Sequence, residues 1–450
     1  MLCPISAHAA TTPHHPALLI EGKILSYQEL DHYIQAYAAY LMAQGISKRD
    51  RIACLGTTEL ATIILIFALF RIGASVALLN TRLPKEQIET ALSELAATRY
   101  IQPEIEKLAP VTFSQKEWDL EQVATLLFTS GSSGKPKIAC HSLSNYYYSV
   151  LGSNPHLRLE PHCRWLLSLP LFHVGGLAIL FRSFIAGSTL CISRLPLKQS
   201  LEADQITHLS LVPTQLYRLL KENPKPSTHL QCILLGGAPL PLSLCQEAAA
   251  KDFPLFLTYG MTEMSSQITS MTFSLENPAA YLGLALPYRA LKIDVQGEIF
   301  VKGPTLFQGY WDKEHGLSLP VDAEGWFATG DLGSFDAEKG LIFEGRKDNL
   351  FISGGENIQP EEIEKALFSL PGISDAVVVP VKDQEFGARP AAFIEKDALN
   401  LSDHALLEQL KKLLPSYKIP IYFFTLPPTE QLKKNRLQLT LLAAQFCLEK

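Results

Sequence analysis

The sequence contains no long apolar segment and no dense block of charge of either sign. Its most apolar run, Leu60 to Phe70, is only 11 residues long, well short of the roughly 20 residues that a membrane-spanning helix needs. Lys and Arg total 39 against 45 Asp and Glu, which gives a formal net charge of −6. A nucleic-acid-binding protein would need a concentrated basic face. We therefore expect no membrane span and no nucleic-acid partner, and a small molecule is the expected ligand.

Closely spaced cysteine pairs and internal repeats are also missing, and we expect no leader sequence. The eight cysteines are scattered without a C-x-x-C pair, so neither a disulfide framework nor a zinc site is indicated. The first residues, from Met1 to His8, lack the basic and apolar regions of a signal peptide. We expect reduced thiols and a cytoplasmic location. No repeat and no low-complexity tract is visible, and no pattern indicates an oligomeric state.

The chain does contain material for a large core, since 47% of its 450 residues are hydrophobic. Such a length predicts an enzyme-sized protein with more than one domain. The first 270 residues alternate apolar runs with helical patterns, beginning with a capping box at Ser26–Glu29. This alternation predicts an α/β fold with wound parallel sheets, in which ligands bind beyond the carboxyl ends of strands. The predicted strands are 51–55, 74–78, 123–128, 165–168, 189–192, 208–212, 232–235 and 255–259.

The pattern changes twice towards the C-terminus. From Leu291 to Phe343, short strands separated by turns predict a small β-rich subdomain. Beyond it, a helix from Pro360, a second helix at 402–414 and strands at 376–379, 391–394 and 421–424 predict a smaller α+β domain. We therefore divide the chain into residues 1–347 and 348–450.

The strongest local motif follows the strand predicted at 123–128. Hydroxyls and glycines from Thr129 to Gly134 are followed by Lys135-Pro136-Lys137, which supplies backbone N–H groups and positive charge for an anion. It is not a Walker A loop, because Pro136 stands where Ser or Thr is required. A surface linker is the alternative, and the buried strand before the loop favours phosphate binding.

Two further motifs lie at the ends of predicted strands. Thr258 to Glu263 combines an aromatic ring, hydroxyls and a carboxylate suited to Mg²⁺, although a turn with a helix N-cap at Thr262 explains it equally well. Trp326 to Asp331 places an aspartate in a predicted tight turn, where it either caps the turn or binds a ribose. The segment from Gly345 to Asn349 lies at the domain boundary and is either functional or a charged linker.

These motifs, in this order, resemble those of the ANL superfamily of adenylate-forming enzymes. The resemblance runs from Tyr27 to Arg436 and includes Pro170-Leu-Phe-His173, Leu235-Gly-Gly-Ala238 and the segment from Gly354 to Ile363. Within the superfamily, Trp165 to Gly176 followed by Phe181-Arg182, and the compact length, most resemble the o-succinylbenzoate-CoA ligases of menaquinone biosynthesis.

The resemblance implies an ATP-dependent acid–thiol ligase whose other substrates are a carboxylic acid and coenzyme A, with Mg²⁺ as the metal ion. An acyl-adenylate would form first and a thioester second. Two alternatives stay open: another aryl- or acyl-CoA ligase, and a non-catalytic nucleotide-binding protein of the same fold.

The resemblance also assigns roles to residues. The ATP phosphate loop would consist of Thr129, Ser130, Gly131, Ser132, Ser133, Gly134 and Lys137. Around the nucleotide, Tyr259 and Gly260 would face the adenine, Thr262 the α-phosphate, Glu263 the Mg²⁺ ion, and Asp331 with Arg346 the ribose. Gly236, Gly237 and Ala238 would form a thin wall beside the acid pocket, His173 would close over the carboxylate, and Gly354 and Gly355 would admit the thiol arm.

The catalytic lysine and the hinge belong to the smaller domain. Lys433 aligns with the family's lysine and Arg436 follows at the expected distance, but Leu432 replaces the usual glycine. Lys434 therefore stays open as an alternative for the catalytic role. By the same resemblance, Asp348 would occupy the hinge about which the smaller domain would rotate between the two half-reactions.

Arg182 is our candidate for substrate specificity. It lies within the apolar stretch from Leu177 to Ile185, where a cation either reaches the surface or meets an anion. An aromatic acid with a second carboxylate would provide that anion.

Overall fold

The computed structural model describes residues 1–105, 117–129, 136–222, 225–238, 240–276, 281–396, 402–428 and 435–448. In these ranges no helix is long and apolar enough to cross a membrane.

The first half of the chain alternates strands with helices. Its strands are β1 (Pro16–Ile20), β2 (Lys23–Ser26), β3 (Arg51–Leu55), β4 (Ser75–Leu79), β5 (Arg99–Tyr100), β6 (Val123–Thr129), β7 (Lys137–Ser142), β8 (Arg164–Leu166), β9 (Thr189–Ile192), β10 (His208–Leu211), β11 (Cys232–Leu235), β12 (Leu255–Met261) and β13 (Ser266–Thr272). Its helices are α1 (Pro4–Thr11), α2 (Tyr27–Ala43), α3 (Leu60–Ile72), α4 (Lys85–Leu95), α5 (Leu143–Leu157), α6 (Val174–Ala186), α7 (Leu197–Ala203), α8 (Pro213–Glu222) and α9 (Leu242–Ala250).

The second half is richer in strands. These are β14 (Leu284–Ala285), β15 (Ala290–Ile293), β16 (Glu298–Lys302), β17 (Gly309–Asp312), β18 (Gly316–Ser318), β19 (Phe327–Asp336), β20 (Gly340–Arg346), β21 (Phe351–Ser353), β22 (Glu356–Ile358), β23 (Ile373–Asp383), β24 (Gly387–Lys396) and β25 (Tyr422–Thr425). The helices are α10 (Pro360–Phe368), α11 (Asp403–Leu410) and α12 (Arg436–Leu448), with 3-10 turns at Thr262–Met264, Lys347–Asn349 and Ser416–Lys418.

Two large sheets and a small β sheet build the N-terminal domain. One large sheet has the order β14-β13-β12-β11-β10-β8-β9-β1-β2, the other the order β18-β17-β7-β6-β4-β3-β5, and the small sheet the order β15-β16-β19-β20. The smaller C-terminal domain contains the β23-β24-β25 sheet and the β21-β22 hairpin. The α/β fold class with a small β subdomain and a C-terminal α+β domain is therefore confirmed.

The expectation of parallel sheets is confirmed for the central strands of crossover units but not for every strand pair. The central strands β8 to β12 and β3 to β6 pair in parallel, but β6–β7, β7–β17 and β12–β13 are antiparallel. Seven residues separate β6 from β7 and four separate β12 from β13. A parallel connection needs about a dozen residues or more, so both pairs are antiparallel. Both antiparallel connections carry predicted site residues.

Local signals in the sequence explain the helices near the site. The capping box is present, because Ser26 Oγ accepts from the Glu29 N–H at 3.3 Å and Glu29 Oε2 accepts from the Ser26 N–H at 2.8 Å. The apolar helices α3 and α6 pack together in the core, with the Phe67 and Phe181 ring centres 6.1 Å apart. This packing fixes α6, which carries Arg182.

Candidate active site

The predicted phosphate loop leaves the sheet from β6 and returns through β7. Thr129 pairs with Lys137 across the two strand ends, and its hydroxyl donates to the Lys137 carbonyl oxygen at 3.4 Å. The Lys137 ammonium lies 4.9 Å from the centre of the Tyr310 ring, a cation–π contact. The predicted loop residues between the strands lie outside the described residues: Ser130, Gly131, Ser132, Ser133 and Gly134.

A tight turn after β12 holds Glu263 beside this hairpin. Thr262 begins the 3-10 turn and is followed by strand β13, so the alternative of an α-helix capped by Thr262 is wrong. Glu263 is buried, and its Oε1 accepts from the Tyr310 hydroxyl at 2.6 Å. Burial and the Glu263 charge raise the pKa of Tyr310, so this hydroxyl stays protonated and keeps donating. Tyr310 thus connects the ammonium of Lys137 to the carboxylate of Glu263.

His141 is a site residue that sequence reasoning missed. It is fully buried on β7, and its Nε2 lies 2.7 Å from the carbonyl oxygen of Thr262. Burial lowers the pKa of His141 to about 4, so the ring is neutral near pH 7 and Nε2 donates its hydrogen to that carbonyl. A polar residue inside the apolar run of β7 is the only signal in the sequence. The bond fastens the strand after the phosphate loop to the turn that carries Glu263.

Asp331 lies between a tyrosine and an arginine. The Tyr259 hydroxyl donates to Asp331 Oδ2 at 2.6 Å, and Arg346 Nη1 donates to Oδ1 at 2.7 Å. Burial and the Asp331 charge raise the pKa of Tyr259. The Tyr259 ring stacks on Phe343, with 6.1 Å between ring centres. The pair of Asp331 and Arg346 is thus part of a cluster of aromatic and charged groups.

The prediction that Asp331 lies in a tight turn is wrong. Asp331 is inside β19 and pairs in register with Arg346 on β20. Gly330, with φ +70°, distorts the strand just before it, which explains the turn-like sequence. Since Arg346 ends β20 and binds Asp331, it is not merely part of a charged linker.

Close contacts with neighbouring strands explain Gly236 of the predicted wall and Gly260 of the predicted adenine site. A Cβ atom on Gly236 would lie 2.7 Å from Thr258 Cγ2, and one on Gly260 would lie 1.9 Å from the Ser266 carbonyl oxygen. Gly237 has φ +79°, a conformation that favours glycine, and half-buried Ala238 follows it. Larger residues at the two glycines with close contacts would push β11, β12 and β13 apart.

Arg182 is buried, with 1% of its surface exposed, so the alternative of a surface arginine is wrong. Its Nη2 donates to Gln267 Oε1 at 2.7 Å and to Ser266 Oγ at 3.3 Å. The guanidinium carbon lies 5.5 Å from the Trp165 ring centre. Burial lowers the pKa of Arg182 to about 10, which still leaves it charged near pH 7.

His173 stands at the start of the helix that carries Arg182. It is the exposed N-cap residue of α6, and its ring centre lies 4.6 Å from that of Phe172. With a rise of about 1.5 Å per residue, the two side chains are separated by roughly 13 Å along the helix axis. The structure therefore brings His173 and Arg182 onto one element but not into contact.

The smaller domain supplies the remaining predicted residues. Asp348 Oδ2 accepts from Arg346 Nη2 at 3.3 Å. Gly354 and Gly355, with φ +57° and +87°, form the turn of the β21–β22 hairpin, and a Cβ on Gly355 would meet no atom within 4 Å.

Lys433 and its alternative Lys434 lie outside the described residues. Arg436, which follows them, is anchored in the smaller domain, because its Nη1 donates to Glu364 Oε1 at 2.7 Å.

Comparison with known families and proteins agrees with this arrangement. Residues 5–117 and 102–311 match the AMP-binding enzyme family, and residues 362–437 match the AMP-binding enzyme C-terminal domain. The chain is 34% identical to a 2-succinylbenzoate–CoA ligase of Bacillus licheniformis, over 93% of this chain and 94% of that protein. A 2-succinylbenzoate–CoA ligase of Escherichia coli K12 is also 34% identical, over 92% of this chain and 91% of the relative.

The solved structures similar to this chain include an enzyme of the same kind. The o-succinylbenzoate-CoA synthetase of Bacillus subtilis in complex with the acyl-adenylate intermediate superposes with a TM-score of 0.89 at 32% identity, covering 98% of each chain. The same enzyme with ATP and a magnesium ion gives a TM-score of 0.88 at 32% identity, covering 98% of this chain and 99% of that one. The superfamily resemblance is confirmed: this chain belongs to the AMP-binding enzyme family, and its full-length relatives include 2-succinylbenzoate–CoA ligases.

Proposed function

We propose that this protein is an ATP-dependent ligase that joins 2-succinylbenzoate to coenzyme A, a step of menaquinone biosynthesis. The observation that carries the proposal is the adjacency of two kinds of site. Strand β12 and its turn carry Tyr259 and Glu263, and the next strand binds the buried cation Arg182 through Gln267. The residues proposed to bind ATP thus lie next to Arg182, whose positive charge suits an acid with a second carboxylate. Relatives named for this reaction cover nearly the whole chain.

The reaction has two half-reactions at one site. First, a carboxylate oxygen of the acid attacks the α-phosphorus of ATP, and the bond to pyrophosphate breaks. Then the sulfur of coenzyme A attacks the acyl carbon, its proton leaves, and the bond to AMP breaks, which yields the thioester. Because negative charge shifts between oxygens in both steps, fixed donors and positioning supply most of the catalysis.

On the nucleotide side, each proposed contact uses an atom with suitable chemistry. The Asp331 carboxylate has lone pairs for the ribose hydroxyls beyond those that Tyr259 and Arg346 use. Thr262 would bind the α-phosphate, and Lys137 with the loop that starts at Thr129 would bind the outer phosphates. His141 keeps the Thr262 turn in place.

The donor set at Glu263 fits Mg²⁺. Its carboxylate is a hard oxygen ligand, and among the described residues no group of three His, Cys, Asp or Glu side chains could hold a metal ion alone. Mg²⁺ in nucleotide sites is bound through one or two carboxylates together with phosphate oxygens, so a single glutamate suffices. Held by Glu263 together with ATP, the ion would neutralise phosphate charge. Tyr310 orients the Glu263 carboxylate by its hydrogen bond.

The smaller domain would supply the mobile cation. We place the boundary between residues 347 and 348, with Asp348 as the hinge and Lys433 as the lysine that bridges the attacking carboxylate and the α-phosphate. Arg436 is fixed by Glu364, which supports a defined base for the lysine segment. The turn of Gly354 and Gly355 would admit the pantetheine arm in the second half-reaction.

On the acid side, His173 would close over the reacting carboxylate, and Arg182 would bind the other one. The wall of Gly236, Gly237 and Ala238 would separate the acid from the adenine. We also propose a cytoplasmic reaction, which is supported by seven cysteines that are buried, free thiols: Cys3, Cys54, Cys140, Cys163, Cys191, Cys232 and Cys245.

The proposal is tested by measuring pyrophosphate release with a panel of carboxylic acids, with and without coenzyme A. Release that depends on 2-succinylbenzoate, followed by thioester formation only when coenzyme A is present, is the expected result. Release only with other acids would identify a different acyl- or aryl-CoA ligase. No release with any acid would identify a non-catalytic nucleotide-binding protein.

A further inference from the structure

One glutamine joins two buried guanidinium groups beside the acid pocket. Arg182 Nη2 donates to Gln267 Oε1 at 2.7 Å, and Arg289 Nε donates to the Gln267 main-chain carbonyl oxygen at 2.6 Å. The remaining bonds of Arg289 go to the Pro287 carbonyl and to the Ser149 carbonyl and hydroxyl. Within the described ranges, neither arginine forms an ion pair with a carboxylate.

Both groups keep their charge. Burial lowers the pKa of Arg182 to about 10, and burial together with the nearby Arg182 charge lowers the pKa of Arg289 to about 9. Each pKa stays above 7, so this buried region holds two positive charges whose described acceptors are all neutral. Such an arrangement is costly unless an anion binds there.

A hydrogen bond to Thr258 fixes the orientation of the Gln267 amide. The Thr258 hydroxyl donates to the Thr269 carbonyl oxygen at 2.7 Å, so its lone pairs accept from Gln267 Nε2, at 3.3 Å. Since a guanidinium only donates, the amide oxygen must face Arg182. The direction of the Arg182 guanidinium therefore follows from a chain of hydrogen bonds that starts in the sheet.

Gln267 also lies where the nucleotide strand and the acid pocket meet. It pairs with Gly260 across β12 and β13, at the bulge that follows Tyr259. Its partner Thr258 is the residue that a Cβ on Gly236 would strike, with 2.7 Å to Thr258 Cγ2. The amide thus bridges the proposed wall and the proposed carboxylate-binding cation.

We infer that Gln267 is a positioning residue that sets selectivity for acids with a second carboxylate, by holding Arg182 in one direction without neutralising it. This rests on the proposed function of the same site. The amide must be neutral for the role, because a carboxylate at this position would pair with Arg182 and compete with the substrate's own carboxylate. Arg289 adds a second positive charge and anchors the backbone of Gln267.

The test compares the full-length wild type with Gln267→Glu, which changes charge at constant shape, and Gln267→Met, which removes the amide without adding charge. The measured quantity is the ratio of kcat/KM for 2-succinylbenzoate to kcat/KM for the better of two analogues. These analogues, 4-oxo-4-phenylbutanoate and 2-butanoylbenzoate, each lack one carboxylate. We expect the ratio to fall at least about tenfold in Gln267→Glu and less in Gln267→Met. The KM for ATP serves as the internal reference.

A merely structural role would lower kcat/KM for both acids equally and leave the ratio unchanged, and that result in folded variants overturns the inference. If Gln267→Glu does not fold, an unchanged ratio in Gln267→Met overturns the inference.

A shift of Tm on addition of 2-succinylbenzoate needs no catalysis, so it separates the inference about Gln267 from the proposed ligase function. A wild type stabilised by this acid without turning it over would contradict the ligase function, and loss of that stabilisation in Gln267→Glu would still support the inference. A wild type that neither turns over nor is stabilised by any acid contradicts both.

Discussion

The proposed nucleotide side of β12 and the proposed acid side differ in how their buried charges are paired. On the nucleotide side, the Asp331 carboxylate is paired with the Arg346 guanidinium, and Glu263 accepts from Tyr310, which lies under Lys137. On the acid side, Arg182 and Arg289 are bound by amide, hydroxyl and carbonyl oxygens, and in the described ranges no carboxylate pairs with them.

The difference matches the ligands proposed for each side. In the proposed reaction, ATP would arrive with Mg²⁺ and would meet the proposed catalytic lysine, so its negative charge would be balanced by partners outside the buried charge pairs. The second carboxylate of the acid arrives alone, and a fixed positive charge is the simplest way to bind it. In the proposed function, the second carboxylate of the acid is the counter-ion that Arg182 and Arg289 lack among the described residues.

The largest effect is expected from removing the proposed catalytic lysine. Lys433→Ala should lower the rate of pyrophosphate release by about 1,000-fold, as loss of a charged group that stabilises the transition state does. Lys434→Ala is the matched control and should stay near the wild-type rate. The reverse result would make Lys434 the catalytic lysine.

Removing the fixed cation of the acid side comes next. Arg182→Ala should lower kcat/KM for 2-succinylbenzoate by about 100-fold, because a charge-assisted bond to the second carboxylate is lost, and should leave the KM for ATP near its wild-type value. Arg182→Lys keeps the charge but not the planar guanidinium. Its kcat/KM for 2-succinylbenzoate should therefore lie between those of the wild type and Arg182→Ala. An unchanged kcat/KM in Arg182→Ala would contradict the assignment.

The charge pair of the nucleotide side should give a smaller effect on the other substrate. Asp331→Asn removes the carboxylate that accepts from Arg346 Nη1 and weakens ribose binding, so the KM for ATP should rise by about 30-fold. The KM for the acid should stay near its wild-type value. Asp336→Asn, at the far end of the same strand, is the control. Equal changes for both substrates would mean that the two sides are not independent.

The smallest effect is expected at Tyr310. Tyr310→Phe removes the hydrogen bond to Glu263 but leaves the ring under Lys137, and a single neutral donor lost in this way corresponds to about fivefold in rate. We expect the loss to decrease at saturating Mg²⁺, since the ion can orient the carboxylate itself. Tyr40→Phe, at an exposed tyrosine, is the control. A loss independent of Mg²⁺ would place Tyr310 outside metal binding.

Much of the fold follows from local signals, whereas parts of the site do not. The Ser26 capping box and apolar runs such as those of β3 and β11 predict their elements within a few residues. The antiparallel partners β7 and β13 were not predicted, because a strand that follows directly on another has no crossover helix to mark it. The turn predicted at Asp331 was wrong because Gly330 signals a bend equally well in a turn or in a distorted strand.

Side-chain partners were the hardest part to predict. Arg182 was identified as a cation in an apolar helix, but its contact with Gln267 joins residues 85 positions apart in the sequence. His141 and Thr262 are 121 positions apart, and no local pattern marks either pair. Such contacts depend on how α6, β7 and β13 pack, which periodicity and motif spacing do not determine.

The most direct test of the central claim is the acid selectivity of the wild-type protein. Pyrophosphate release is measured with 2-succinylbenzoate and with its two analogues that each lack one carboxylate, at fixed ATP, Mg²⁺ and coenzyme A. If the unneutralised cations bind the second carboxylate, kcat/KM for the better analogue should be about 100-fold lower than for 2-succinylbenzoate. An analogue used as well as 2-succinylbenzoate would show that the buried positive charge does not recognise the substrate.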